Sequence, residues 1–246
     1  MALLKVLLLL GLGVSVNSAV SLQKRIIGGQ NCDDTERLYH VRLESSNGTH
    51  VSRCGGSLIH PQWILSAARC WLSDPGWTNR AFLKVHPRTV IKHSQIIRDS
   101  PVTFSELHDI MLLKLEKPVT DVPLARLPDC NYRLNIGDII QLAGEGGTTT
   151  GPNNQRLPPG GAVSRYLQCV DMKVVSVSII IPTFGHVLYA VAPNKDICFS
   201  DPGGAVMYND LIYGIICLGG PDACQRPVAI IDVCEYLWWI KVATGI

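Results

Sequence analysis

The sequence predicts an all-β domain, a barrel or a sandwich, with one helix at its C-terminus. Short runs rich in Ile, Val and Leu recur along the chain, and Gly, Pro, Asn and Asp separate them, which is the punctuation of a many-stranded β protein. Nine cysteines follow an apolar leader, so disulfides are expected to help hold that fold. No internal repeat is present.

The first residues read MALLKVLLLLGLGVSVNSAVS. One lysine, a Leu/Val run of about a dozen residues and then small residues have the layout of a secretory signal peptide over 1–19, with cleavage near Asn17 to Val20. The run is shorter than the roughly 20 residues that span a bilayer, so no membrane anchor is expected. Residues 20–25 end in the basic pair Lys24-Arg25 and precede a domain over 26–246; the family resemblance given below implies that they are a short activation peptide. Within it, strand-sized runs begin with VRLESS from Val41, GSLIH from Gly56, WILSAA from Trp63 and IMLLKL from Ile110. They continue with DIIQLAG from Asp138, KVVSVSIII from Lys173, HVLYAVA from His186 and LIYGIICLG from Leu211. Gly144 to Gly161 has the composition of a long loop. Helical spacing of Val233, Leu237 and Ile240 behind a capping Asp232 predicts the helix over 233–244.

Composition excludes several functions. Of the 22 Lys and Arg residues, Lys5, Lys24 and Arg25 precede the mature start, so the mature chain balances 19 basic against 20 acidic residues, a net charge of −1. No global basic footprint for nucleic acid is present. The histidines are scattered, so no zinc site is expected and no cofactor is implied; no acid lies between Asp74 and Asp99, the stretch where the family resemblance given below would put a calcium loop, so none is expected there. Asn47-Gly48-Thr49 is a glycosylation sequon in a turn-like stretch.

Five motifs then occur in order. They are Arg25-Ile26-Ile27-Gly28-Gly29; CGGSLIHPQWILSAARC from Cys54 to Cys70; His108-Asp109-Ile110-Met111-Leu112; Cys198-Phe199-Ser200-Asp201-Pro202-Gly203-Gly204; and Cys234 through Ile240. Together they resemble the trypsin (chymotrypsin-fold) family over the whole mature chain: its activation junction, its histidine and aspartate segments, its nucleophile loop (normally C-x-G-D-S-G-G) and its closing helix. The resemblance implies two packed six-stranded antiparallel β-barrels, over about 26–125 and 126–232, with a cleft between them. It further implies the disulfides Cys32–Cys169, Cys54–Cys70, Cys130–Cys234 and Cys198–Cys224, and leaves Cys217 unpaired. Two other family bridges are absent at both ends: Ile140 and Tyr208 replace one, and Ile180 with Leu188 or Tyr189 the other.

The same resemblance exposes what is missing. Of the three triad positions only Asp109 is kept; the histidine position holds Arg69 and the serine position Pro202. A guanidinium stays protonated and has no acceptor, so it is no general base. Two roles remain open for Arg69: an ion pair with Asp109, or a binding group lying out in the cleft. Proline has neither a hydroxyl nor a backbone N–H, which removes the nucleophile and one oxyanion donor together. The other donor position holds Ser200 in place of a glycine. A relocated site using Ser200 with His108 as its base would need His108 to face it.

The pocket implied by the resemblance is also altered. Asp196 stands where trypsin has the acid that selects Arg and Lys, but Val228 replaces a glycine that keeps that pocket open and Leu218 a tryptophan in its wall. Asp196 is therefore either a buried, paired acid or a ligand group. Asp201 matches the acid that receives the Ile26 ammonium after cleavage at Arg25, which leaves two readings open: a zymogen-like ordering switch and a merely inherited cleavage site. The resulting expectation is a secreted, disulfide-bonded pseudoenzyme that binds a protein partner such as a protease, inhibitor or receptor. The rival is an active serine endopeptidase; a third reading is a chain with no retained role.

Overall fold

The structure is a computed structural model that describes residues 26–87, 93–146, 166–182, 184–197, 201–218 and 226–246. The leader and activation peptide, with Arg25, lie outside these residues, as do Cys198, Ser200, Cys224 and most of the Gly144–Gly161 stretch.

Fourteen strands and one α-helix make up the described chain. The strands are β1 (Gln30–Asn31), β2 (His40–Ser46), β3 (Val51–His60), β4 (Trp63–Ser66), β5 (Thr78–Leu83), β6 (His93–Ile96), β7 (Val102–Thr103) and β8 (Met111–Lys114), then β9 (Ile139–Gly144), β10 (Gln168–Ile181), β11 (Gly185–Val191), β12 (Ala205–Tyr208), β13 (Leu211–Leu218) and β14 (Val228–Asp232). One sheet has the order β6-β5-β2-β3-β4-β8-β7. The other runs β1-β10-β11-β14-β13-β12-β9 and closes on itself because β9 also pairs with β10. That makes a closed six-stranded barrel with β1 added at its side. All the pairings are antiparallel.

Alternation explains how the runs become strands. In β5, Asn79, Ala81 and Leu83 are buried while Thr78, Arg80 and Phe82 are not, the period of two that turns one face to a core. β2 departs from it instructively. Val41, Leu43 and Ser45 point into the first sheet's core, yet His40 and Arg42, on the opposite face, are buried too. The outer face of this strand is covered at the seam between the two sheets, where water is excluded and polar groups need partners.

The N-terminal segment crosses to the second barrel. Gln30 and Asn31 pair with Cys169 and Gln168, and Ile26 is buried among Val174, Ala190 and Ile230. Three disulfides fix the frame: Cys32–Cys169, Cys54–Cys70 and Cys130–Cys234. The expected Cys198–Cys224 pair falls outside the described residues. Ile180 lies opposite His186 rather than beside Leu188 or Tyr189, because β10 and β11 form one long hairpin with irregular register.

The C-terminal turn begins as read and then breaks. Asp232 accepts from the Cys234 N–H at 3.0 Å and caps a 3-10 turn over Val233–Glu235. Tyr236 interrupts it at φ −114°, ψ 0°, and the α-helix α1 spans only Leu237–Thr244, closed by Gly245 in the left-handed region. The break coincides with a tether: the Tyr236 hydroxyl accepts from the His186 N–H at 2.9 Å and pairs with His108 Nδ1 at 2.7 Å. Gly185 makes this approach possible. Its φ is +84°, and a Cβ there would come within 2.2 Å of the Tyr236 hydroxyl.

Candidate functional site

The site is assembled at the seam from both sheets. A 3-10 turn over Ala68–Cys70 follows β4 and carries Arg69, and the Cys54–Cys70 disulfide pins that turn to β3. Asp109 lies just before β8 and is 5% exposed. Cys217 comes from β13 of the other sheet and is fully buried.

Arg69 and Asp109 engage twice. The Arg69 backbone N–H donates to Asp109 Oδ1 at 2.8 Å, and its Nε donates to Oδ2 at 2.6 Å. Of the two roles open to Arg69, the ion pair is the one observed. A carboxylate removed from water needs such a partner, since an uncompensated buried charge costs several kcal/mol. The guanidinium also lies 4.7 Å from the centroid of the Phe184 ring, a cation–π arrangement supplied by the tip of the β10–β11 hairpin. The Phe184 carbonyl in turn accepts from the Asp109 N–H at 3.2 Å.

Cys217 completes the group. Its thiol donates to Asp109 Oδ2 at 3.3 Å, and Arg69 Nη2 lies 3.5 Å from the sulfur. Burial first, and the Asp109 charge second, push the thiol's pKa far up. Cys217 is therefore a protonated hydrogen-bond donor to Asp109, with little thiolate character.

The loop before β12 packs tightly onto the first sheet. The Pro202 carbonyl accepts from the Gly55 N–H at 2.8 Å, and the Gly203 N–H donates to the Ile216 carbonyl at 2.8 Å. Gly203 has φ +84°, and a Cβ would lie 2.2 Å from the Gly55 carbonyl oxygen, so only glycine fits between the sheets there. Asp201 is fully buried and accepts from the Gly146 N–H at 2.7 Å. Chemically, Arg69, Asp109, Pro202 and Cys217 offer a paired acid, a fixed cation and a protonated thiol. None of them is a neutral base.

His108 does not point toward this group's chemistry. Its Nδ1 is committed to Tyr236, and its ring lies 4.9 Å from Phe104. Burial, and then the nearby His186, hold its pKa below the usual imidazole value. Asp196 is 1% exposed and accepts from the Ile197 N–H at 2.7 Å; its own N–H donates to the Ile27 carbonyl. Val228 is buried in the second core, whereas Leu218 is 44% exposed. Residues 198–200 and 219–225 are outside the described residues.

A second polar group at the seam has no counterpart in the sequence reading. Arg42 Nη2 donates to Glu145 Oε1 at 2.8 Å and Nε donates to Oε2, a bidentate pair with both side chains 7% exposed. It joins β2 to the segment whose Gly146 N–H holds Asp201. His40 lies beside it, and burial pushes its imidazole down to about 4, against the raising effect of Glu145. No sequence signal would have found this cluster, because its members stand 103 residues apart and Glu145 sits at the edge of a loop-like stretch.

Comparison with known proteins agrees with this architecture. The family profile described as Trypsin matches residues 26–240. Trypsin I-P1 of Gallus gallus is 32% identical, with 93% of this chain and 94% of that protein covered. Snake venom serine protease homolog 2 of Macrovipera lebetinus is 30% identical over 98% of this chain and 95% of its own length. A solved structure titled "Structure of GrC" superposes with a TM-score of 0.75 at 22% identity, covering 90% of this chain and all of that one, a likeness of fold. With a profile match across nearly all of the described domain and two barrel-spanning relatives, the chain belongs to the trypsin family.

Proposed function

We propose that this chain is a secreted, non-catalytic member of the trypsin family that acts by binding another protein. One observation carries the reading: the residue at the family's histidine position, Arg69, is locked on Asp109 as a cation. A base is needed there to take a proton from a nucleophile, and a guanidinium cannot accept one. Pro202 adds to this, since neither a hydroxyl nor an N–H stands at the serine position.

Magnitudes favour the reading over an active endopeptidase. In another serine protease, loss of the nucleophile or the base costs on the order of 10⁶ in rate, and loss of one oxyanion donor about 10²–10³. These losses are not additive, but either of the first two suffices to abolish useful turnover. That one relative is named a serine protease homolog is consistent with such members of the family. Three disulfides and the apolar leader support secretion. Asn47 is exposed and its Oδ1 accepts from the N–H groups of Thr49 and His50, a turn that presents its amide to solvent for glycosylation.

The test is turnover of a panel of fluorogenic peptide amides by the mature chain cut after Arg25. The reading expects no rate above that of a heat-denatured sample. Saturable hydrolysis that disappears on Asp109→Asn would overturn it.

A further inference from the structure

An open cleft of about 670 Å³ runs along the seam, and neither Arg69, Asp109, Cys217 nor Pro202 lines it. Arg37 is among the residues that line it. This residue is held at φ +53° and is only 9% exposed, yet its guanidinium donates to neutral acceptors: the Tyr39 hydroxyl at 2.9 Å and Gln141 Oε1. Gln141 in turn donates its Nε2 to the exposed Asp171 carboxylate at 3.0 Å, so Arg37 reaches that acid only through a neutral amide. Arg126, exposed, lines the same cleft. Among the described residues, no carboxylate pairs with either arginine. A guanidinium held only by neutral acceptors has N–H groups left for an anion, and a carboxylate can take two of them at once.

The walls add apolar surface. Leu124 and Ile139, on the rim, are 40% and 57% exposed. Glu36, Asp171 and Asp210 are also at the rim; like Arg126 they are exposed, so solvent screens all four and Arg37 is the one buried charge among the cleft's lining residues. Their presence disfavours a uniformly acidic tract. We propose that this cleft binds an extended segment of a partner protein through one Glu or Asp carboxylate seated on Arg37 and Arg126, with aliphatic neighbours against Leu124 and Ile139. The proposal deepens the binding role put forward above and rests on it for its biological sense.

The probes are acetylated, amidated pentapeptides with a central Glu or a central Gln between two Leu, and hexanoate as a free small acid. Each is titrated into the ¹⁵N-labelled mature chain while the side-chain amide of Gln141 is followed by NMR. The expected result is a shift of that amide by the Glu peptide, with an affinity at least about tenfold above the Gln peptide and above hexanoate. Arg126→Gln, on the surface, and Arg37→Lys, which keeps the charge but loses the planar fork, each weaken binding by about tenfold. No binding, equal affinity for the Glu and Gln peptides, indifference to Arg126→Gln, or hexanoate binding as tightly as the peptide would overturn it. Turnover of the peptide amides alongside Glu-peptide binding would remove the non-catalytic reading and leave this cleft standing. Absence of both would do the reverse.

Discussion

Arg69 grips Asp109 with its backbone N–H on one carboxylate oxygen and its Nε on the other, at 2.8 and 2.6 Å. Asp109 is almost fully buried, while the Arg69 side chain is 28% exposed. The pair gives a carboxylate that is nearly out of reach of water two donors and a counter-ion from one residue.

Asp109→Asn therefore destabilises the chain. An amide retains one acceptor but leaves the cation without its counter-ion, a loss of about 2–3 kcal/mol given that Arg69 keeps some water. In a domain of this size that corresponds to a fall of roughly 5–10 °C in Tm. Thermal unfolding followed by circular dichroism checks it, and an unchanged Tm would deny the pair a structural role.

The seam pair Arg42–Glu145 behaves differently in single and double variants. Glu145→Ala leaves the buried guanidinium only Glu44, 3.8 Å from Nη1, and costs about 3 kcal/mol, whereas Arg42→Met with Glu145→Leu removes both charges and recovers most of the loss. Urea unfolding of the two single variants and the double variant measures the coupling.

Acid sensitivity follows from His40. Its folded pKa is lowered to about 4 from an unfolded value near 6.5, so the unfolded chain binds the proton first. The stability that the neutral imidazole contributes is complete above about pH 6.5 and is lost as pH falls toward 4, on the order of 3 kcal/mol in all. His40→Gln flattens this part of the stability-against-pH curve, as urea midpoints between pH 4 and 7.5 would show. A curve unchanged by the substitution would assign the acid loss to other groups.

Cys217 is chemically silent in the native fold. Buried, and protonated beside Asp109, it resists iodoacetamide at pH 8 and becomes alkylated only after unfolding in guanidinium. Peptide mapping by mass spectrometry identifies the modified cysteine; rapid labelling of Cys217 in the folded chain would contradict the burial.

Much of this arrangement is legible in the sequence wherever a local pattern or a motif carries it. Strand-sized runs rich in Ile, Val and Leu mark most of the strands, Asp232 announces the C-terminal turn, and the ordered motifs bring Arg69 and Asp109 to one site while leaving open whether they pair. The misses share a physical cause. Arg42 alternates with Val41 and Leu43, which in an ordinary half-buried strand would turn it to solvent. A second barrel covers that face, and no local pattern reports a cover built from residues a hundred positions away. The run from Lys173 to Ile181 is apolar enough to suggest burial, yet Ile180 is 66% exposed, because the hairpin extends beyond the sheet that would cover it. Phe184 beneath Arg69 depends on where that hairpin tip lands, which is a property of the tertiary fold alone.

The most direct test of the central claim is reaction with a fluorophosphonate, read by intact mass on the mature chain cut after Arg25, beside trypsin and an Arg69→His, Pro202→Ser variant. The account predicts no mass addition to the natural chain under conditions that label trypsin completely. Stoichiometric addition at any serine of the natural chain would contradict it, and the modified peptide would identify the nucleophile.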